Sequence, residues 1–222
     1  MEVFYTNKKI IGPINIKFKT NELVLLLGHN GSGKTTFLKA LAGVVNFKGE
    51  IISSDGKPFY MATGYVFQNP ETQIVGSTVW EDVIFGLENI GLKREEIEER
   101  AVETLKITGL LDYKDFDPYS LSGGQKQKLA ISSILAMRPK FLLLDEPTAM
   151  LDKYDRMIIK RLIEQLKKTG IGIILATHHV EIFYDIADRV IFMKDGLVKY
   201  DEAALEKVLR EYYEEGGAIW RK

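Results

Sequence analysis

The sequence has no cysteine. That removes disulfides, cysteine-ligated zinc and thiol catalysis together, and it fits a reducing compartment. Charge of one sign is not in excess either: 30 Lys and Arg stand against 31 Asp and Glu, for a net charge of -1. No global basic field draws the chain to nucleic acid or anionic lipid. Long hydrophobic runs are missing. The stretches LVLLL and FLLL fall far short of the ~18 apolar residues that span a bilayer. The opening MEVFYTNKK contains no apolar segment of the signal-peptide kind. Work at a membrane would therefore need a partner to hold the chain there.

What is present is an ordinary globular balance, 45% hydrophobic and 27% charged residues over 222 positions, ample for a substantial core. Short apolar runs alternate with amphipathic stretches, which predicts an α/β fold with a largely parallel sheet. The expected buried strands are Glu22–Leu27, Thr63–Phe67, Phe141–Leu144, Gly172–Ala176 and Arg189–Met193. Glu2–Tyr5, Ile14–Phe18 and Gly49–Ser53 read as antiparallel, partly solvated strands, and Asp195-Gly196 as a hairpin turn. From Ser77 to Met137 the pattern is mostly helical: Ile97, Ala101 and Leu105 share one face, with the charges of KREEIEER on the other. A terminal amphipathic helix is expected over Asp201 to Glu215.

Three strand ends carry chemistry. GHNGSGKT, Gly28 to Thr35, fits G-x-x-x-x-G-K-[ST] between a strand and a helix. Its glycines let the backbone wrap phosphates. Lys34 would reach the β- and γ-phosphates, and Thr35 would ligate Mg²⁺. FLLLDEP puts Asp145 and Glu146 at a buried strand end. Asp145 suits Mg²⁺, and Glu146 is placed to polarise a water attacking the γ-phosphate. ILATHHVE ends another strand in His178, which can bond a phosphate oxygen and sense its presence. His179 reads as an exposed first-turn residue. Open α/β sheets bind ligands at this edge.

A second glycine-bearing stretch, YSLSGGQKQKLA (Tyr119 to Ala130), also opens a helix. It has no lysine directly after its glycines and no following Ser or Thr for Mg²⁺, so it can embrace a terminal phosphate but not hold a whole nucleotide. A half-site of that kind implies a neighbour that supplies the other half.

GHNGSGKTT, YVFQNPETQIV, LSGGQKQKLAI, FLLLDEPTAMLD and ATHH, in this order and spacing, resemble the ABC-type ATPases over nearly the whole chain. The resemblance implies a P-loop NTPase fold: a RecA-like parallel-sheet core with an antiparallel β subdomain (1–76 and 138–200), an inserted helical subdomain (77–137), and a C-terminal helix and tail (201–222). It implies ATP and Mg²⁺ as cofactors. Asn30, Gly31, Ser32, Gly33, Lys34, Thr35 and Thr36 would belong to the phosphate loop. Gln68 would be the Q-loop glutamine that contacts Mg²⁺ or water, and Ser122, Gly123, Gly124 and Gln125 would lie in the signature. Asp145 and Glu146 would form the Walker B pair, Asp152 would end the D-loop, and His178 would be the switch histidine. Tyr5 falls where the family stacks an aromatic on adenine. Lys128 stands where many transporter members have arginine, which loses a planar fork.

Only about 110 residues separate Lys34 from Asp145, without sustained heptads, so the long coiled coil of the chromosome-maintenance branch is missing. NPE-x-Q followed by TVWEDVIFG resembles energy-coupling factor ATPases, which serve uptake of vitamins and of cobalt or nickel ions. This implies a second ATPase subunit, identical or paralogous, and a place on the cytoplasmic face of the membrane. It also implies membrane subunits docking near Gln68–Gly86, with Val79, Val83 and Ile84 packing inward and Thr72, Gln73 and Glu81 partly facing the partner. The alternative, a soluble ABC switch on nucleic acid or ribosomes, fits the neutral charge poorly, so no nucleic-acid partner is expected.

Overall fold

A computed structural model describes residues 1–5, 8–202 and 205–215. Its strands are β1 (Glu2–Tyr5), β2 (Lys8–Ile11), β3 (Leu23–Leu27), β4 (Phe47–Lys48), β5 (Thr63–Val66), β6 (Phe141–Asp145), β7 (Gly172–Ala176), β8 (Arg189–Lys194) and β9 (Leu197–Glu202). The helices are α1 (Lys34–Leu41), α2 (Val79–Asn89), α3 (Arg94–Thr108), α4 (Gly123–Leu135), α5 (Lys153–Lys168), α6 (Val180–Phe183) and α7 (Leu205–Glu215).

The main sheet runs β5-β6-β7-β3-β8-β9. The first five are mutually parallel, and β9 closes the edge antiparallel to β8. LVLLL, FLLLD and GIILA are buried at every position, as strands covered on both faces must be. Packing fills both sides: Ile159, Ile163 and Phe183 belong to one core cluster, and Phe37, Leu38 and Leu41 of α1 to another. A smaller antiparallel sheet has the order β2-β1-β4.

The helical pattern of residues 77–137 becomes α2, α3 and α4 around their own cluster, including Val79, Val83, Leu87, Ala101, Leu105 and Leu129. Local chemistry sets the ends. Thr78 caps α2 by accepting from the Glu81 amide, and Gly109 at φ 68 ends α3. Ser122 and Gln125 form a reciprocal capping box on α4.

Three early expectations need correction. Ile14–Phe18 forms no strand. Its alternation is real, since Ile14 is buried and Ile16 and Phe18 pack on the core. Pro13 offers no N–H, however, and Ile14 exchanges bonds only with Met1 (3.0 Å and 2.8 Å), so no ladder develops. Gly49–Ser53 yields a single bridge, Ile52 to Pro58, because proline cannot donate to a ladder. Asp201 belongs to β9, paired with Ile191, so the terminal helix begins later than its charge pattern suggested.

The hairpin at Asp195-Gly196 is present, with both residues at positive φ (51 and 74). The Gly196 amide donates to the Ser32 carbonyl at 3.1 Å, and its own carbonyl accepts from the Gly12 amide at 2.9 Å. A Cβ there would sit 1.9 Å from the Ile10 carbonyl oxygen. Gly196→Ala should therefore cost at least about 1 kcal/mol. The check is a lower urea midpoint at unchanged slope.

Candidate nucleotide site

Parallel pairing brings the carboxyl ends of β5, β6, β7 and β3 to one edge, in that order. The residues just past those ends are Gln68, Asp145 with Glu146, His178, and the loop from Gly28. Sequence-distant groups are thus neighbours because of strand order alone.

The loop from Gly28 curls around its own lysine. Lys34 Nζ donates to the Gly28 carbonyl at 2.7 Å and the His29 carbonyl at 3.4 Å. Burial lowers the Lys34 pKa, while Glu146 and Asp145 nearby work to raise it. Gly31 and Gly33 hold φ values of 81 and 103, and Gly31 has open space where a side chain would stand. The Ser32 hydroxyl is buried without a partner, whereas Asn30 and Gly31 are exposed. An orphaned hydroxyl beside a lysine in a positive-φ loop at a helix N-terminus fits a phosphate.

Thr35 Oγ1 lies 3.1 Å from Asp145 Oδ1, while Thr36 beside it in α1 is half-buried. A hydroxyl and a carboxylate oxygen form an all-oxygen donor pair suited to Mg²⁺, which keeps further positions for water and phosphate. The other Asp145 oxygen accepts a 2.8 Å hydrogen bond from the Tyr65 hydroxyl. Burial first, then the Asp145 charge, pushes the Tyr65 pKa well up, so the hydroxyl keeps its proton.

Glu146 is buried at φ 49, a strained setting for a side-chain-bearing residue. Its Oε2 meets the His178 amide at 3.1 Å and His178 Nδ1 at 2.7 Å. Gln68 is exposed just past β5. The side chain of Tyr5, expected to stack on adenine, lies outside the described part.

Ser122 and Gln125 are engaged with each other as helix cap. Gly123 follows in the first turn, exposed. The Gly124 amide donates to Asp155 Oδ2 at 3.1 Å. Asp152 caps α5, accepting from the Asp155 amide at 2.8 Å.

One sequence reading changes here and another gains detail. Gln73 is half-buried, and its amide is engaged inward: Oε1 accepts from the Phe67 amide at 3.0 Å and Nε2 donates to the Ala130 carbonyl at 2.9 Å. With the Lys126–Glu71 ion pair at 2.6 Å, it ties the segment after Gln68 to α4. Thr72 and Glu81 stay exposed, with Glu81 accepting from the Ser77 amide at 3.0 Å. His179 is not an exposed residue. Its side chain is 17% exposed against 46% for His178, since the α6 turn folds it inward.

Contacts missed in the sequence include the Tyr65–Asp145 bond and the stack of Tyr212, from α7, on His29 (5.2 Å, 12°). Neither partner pair is close in sequence. A tyrosine hydroxyl in a buried strand was the one available signal.

With that geometry in place, the class follows: the chain belongs to the ABC transporter family, whose profile matches residues 11–149. It is an ATPase of that family. The chain is 43% identical to the energy-coupling factor transporter ATP-binding protein EcfA1 of Thermotoga maritima, over 94% of this chain and 82% of that protein. It is 42% identical to EcfA1 of Clostridium perfringens, over 94% and 75%. Among solved structures it resembles cbiO1 from Clostridium perfringens, described as part of the ABC transporter complex cbiONQ. That match has a TM-score of 0.84 and 34% identity, covering 97% of this chain and 90% of that one. A dimeric ATP-binding cassette bound to ADP and Pi matches with a TM-score of 0.77 and 28% identity, over 90% and 94%.

His179 sets a pH signature. Burial, then His178 and Arg156, lower its pKa below the ordinary 6.5, against an opposing pull from Glu181. The unfolded chain then binds the proton more readily than the folded one. The stabilising effect is complete above about pH 6.5 and falls away as pH drops below it, until the lower folded-state value is passed. His179→Gln should shrink the difference between urea midpoints at about pH 7.5 and about pH 5 relative to the parent.

Proposed function

We propose that the chain is the ATP-binding and ATP-hydrolysing subunit of an energy-coupling-factor-type importer for a vitamin or a transition-metal ion. The observation that carries this reading is the convergence of Lys34, Thr35, Asp145, Glu146 and His178 at one sheet edge. The signature residues stand apart from it on α4. The two EcfA1 proteins and cbiO1 support the transporter branch.

In this reading the loop from Asn30 to Thr36 receives the phosphates of ATP, and Lys34 exchanges its backbone carbonyls for phosphate oxygens. Mg²⁺, held by Thr35 and Asp145 and reached by Gln68, would offset phosphate charge. Glu146 takes the proton of the attacking water. His178, bonded to Glu146 Oε2, aims that carboxylate and turns to the terminal phosphate when one is present. Tyr5 stacks on the adenine.

Ser122, Gly123, Gly124 and Gln125 serve the ATP of a second cassette, identical or paralogous, in a head-to-tail pair. Closure replaces Asp155 at the Gly124 amide with that terminal phosphate, and Asp152 lies at the shared boundary. Residues 77–137 move as a helical subdomain against the core formed by 1–76 and 138–200, with 201–222 as the C-terminal extension. Membrane subunits dock near Gln68–Gly86, where Val75 and Phe85 are exposed apolar residues beside half-buried Trp80 and Ile84. Among the described residues no helix is long and apolar enough to cross a membrane, which fits a peripheral subunit held at the cytoplasmic face. No nucleic-acid partner is needed.

Glu146→Gln tests the base. Hydrolysis by the assembled complex should fall about 10²- to 10⁴-fold, while bound ATP, measured directly, remains. Near-normal turnover would remove Glu146 from that role.

A further inference from the structure

Tyr65 puts a hydroxyl on a buried position of a strand read as apolar, and its place is set by the sheet. β5 pairs with β6 so that Tyr65 stands opposite Leu143 and Val66 opposite Leu144. The ring packs at 5.1 Å from Phe67, inside the cluster that holds Val24, Leu143 and Ile174. From there the hydroxyl reaches Asp145 Oδ2 at 2.8 Å. Oδ1 of the same carboxylate faces Thr35 at 3.1 Å.

The two carboxylate oxygens thus have different neighbours. One is held from behind by an uncharged donor anchored in the core. The other points to the hydroxyl at the start of α1. A carboxylate on a single-bonded stem rotates unless its oxygens are distinguished by hydrogen bonds. Asp145 is 2% exposed, so water cannot supply that distinction. Among the hydrogen bonds of the described residues, Thr35 and Tyr65 are the side-chain donors to Asp145.

We propose that Tyr65 is a positioning residue for the nucleotide's divalent cation. By donating to Asp145 Oδ2 it fixes the carboxylate plane and presents Oδ1 toward Thr35, where Mg²⁺ is to be held. The inference rests on the reading of Asp145 as the metal-side carboxylate. It adds a residue that the ABC resemblance does not assign. Tyr65 itself touches neither metal nor nucleotide.

The test is binding of a non-hydrolysable ATP analogue across a Mg²⁺ titration and again in EDTA, for the parent, Tyr65→Phe, Asp145→Asn and the double variant. Tyr65→Phe keeps the ring and its packing, and its thermal midpoint checks the fold. It should raise the Mg²⁺ concentration for half-maximal enhancement of binding about 10- to 100-fold, with binding in EDTA unchanged. The double variant should match Asp145→Asn, because Tyr65 acts only through that carboxylate. A Tyr65→Phe midpoint within about twofold of the parent overturns the proposal, while loss in Asp145→Asn upholds the underlying reading. If Asp145→Asn keeps the parent's Mg²⁺ dependence, the reading itself fails. If Tyr65→Phe is too unstable to assay, the double variant, in which position 145 no longer carries a carboxylate, decides. A loss in it beyond that of Asp145→Asn contradicts the proposal, and equality with Asp145→Asn supports it.

Discussion

A carboxylate that is 2% exposed, at the end of a strand of leucines, governs this molecule. Burying such a charge without partners is costly, and Asp145 finds its partners on two other elements. Thr35 comes from the helix that follows β3, and Tyr65 from β5. Those contacts exist only if the strands end in register. Pairing Asp145 with Ala176 puts Glu146 next to β7, where its amide bonds the Ala176 carbonyl at 2.9 Å. That brings its carboxylate within 2.7 Å of His178. The parallel sheet is therefore the device that turns four separate sequence stretches into one chemical site.

The second glycine stretch lies outside that edge. Its helix, α4, has Gln125 where a lysine would follow the glycines, and its Gly124 amide is given to Asp155. The segment after Gln68 is fastened to the same helix by Gln73 and by the Glu71–Lys126 pair. In the proposed reading a displacement at Gln68 would pass through these contacts to α4, the helix proposed to present Ser122 to a neighbour's ATP. This is the physical content of the proposed coupling: one nucleotide site is joined, through a short hydrogen-bonded segment, to the half-site that serves the other.

The buried parallel strands were legible in the sequence because runs such as LVLLL and GIILA admit few other readings, and each was placed to within a residue. The loop from Gly28 and the DE pair were legible as strand-end features, because the apolar runs before them mark where β3 and β6 stop. Other features depended on where distant parts of the chain meet. Ile14–Phe18 has strand alternation but only Met1 as a ladder partner, and alternation alone does not reveal that. Lys8–Ile11 forms β2 although its pair of lysines gives no apolar signal. His179 was read outward from its local pattern, and the inward hydrogen bonds of half-buried Gln73 were not seen. Their surroundings come from α4 and from the α6 turn, which local pattern does not contain. Tyr65 was visible only as a residue type, since its bond to Asp145 spans 80 positions.

The central claim is that the signature on α4 serves a neighbour's ATP and not the chain's own. ATP affinity of the dilute, isolated chain tests this most directly, compared among the parent, Lys34→Ala and Ser122→Arg. The account predicts that Lys34→Ala loses binding, while Ser122→Arg binds as the parent does. A loss in Ser122→Arg comparable to that in Lys34→Ala, with the fold intact, would contradict it.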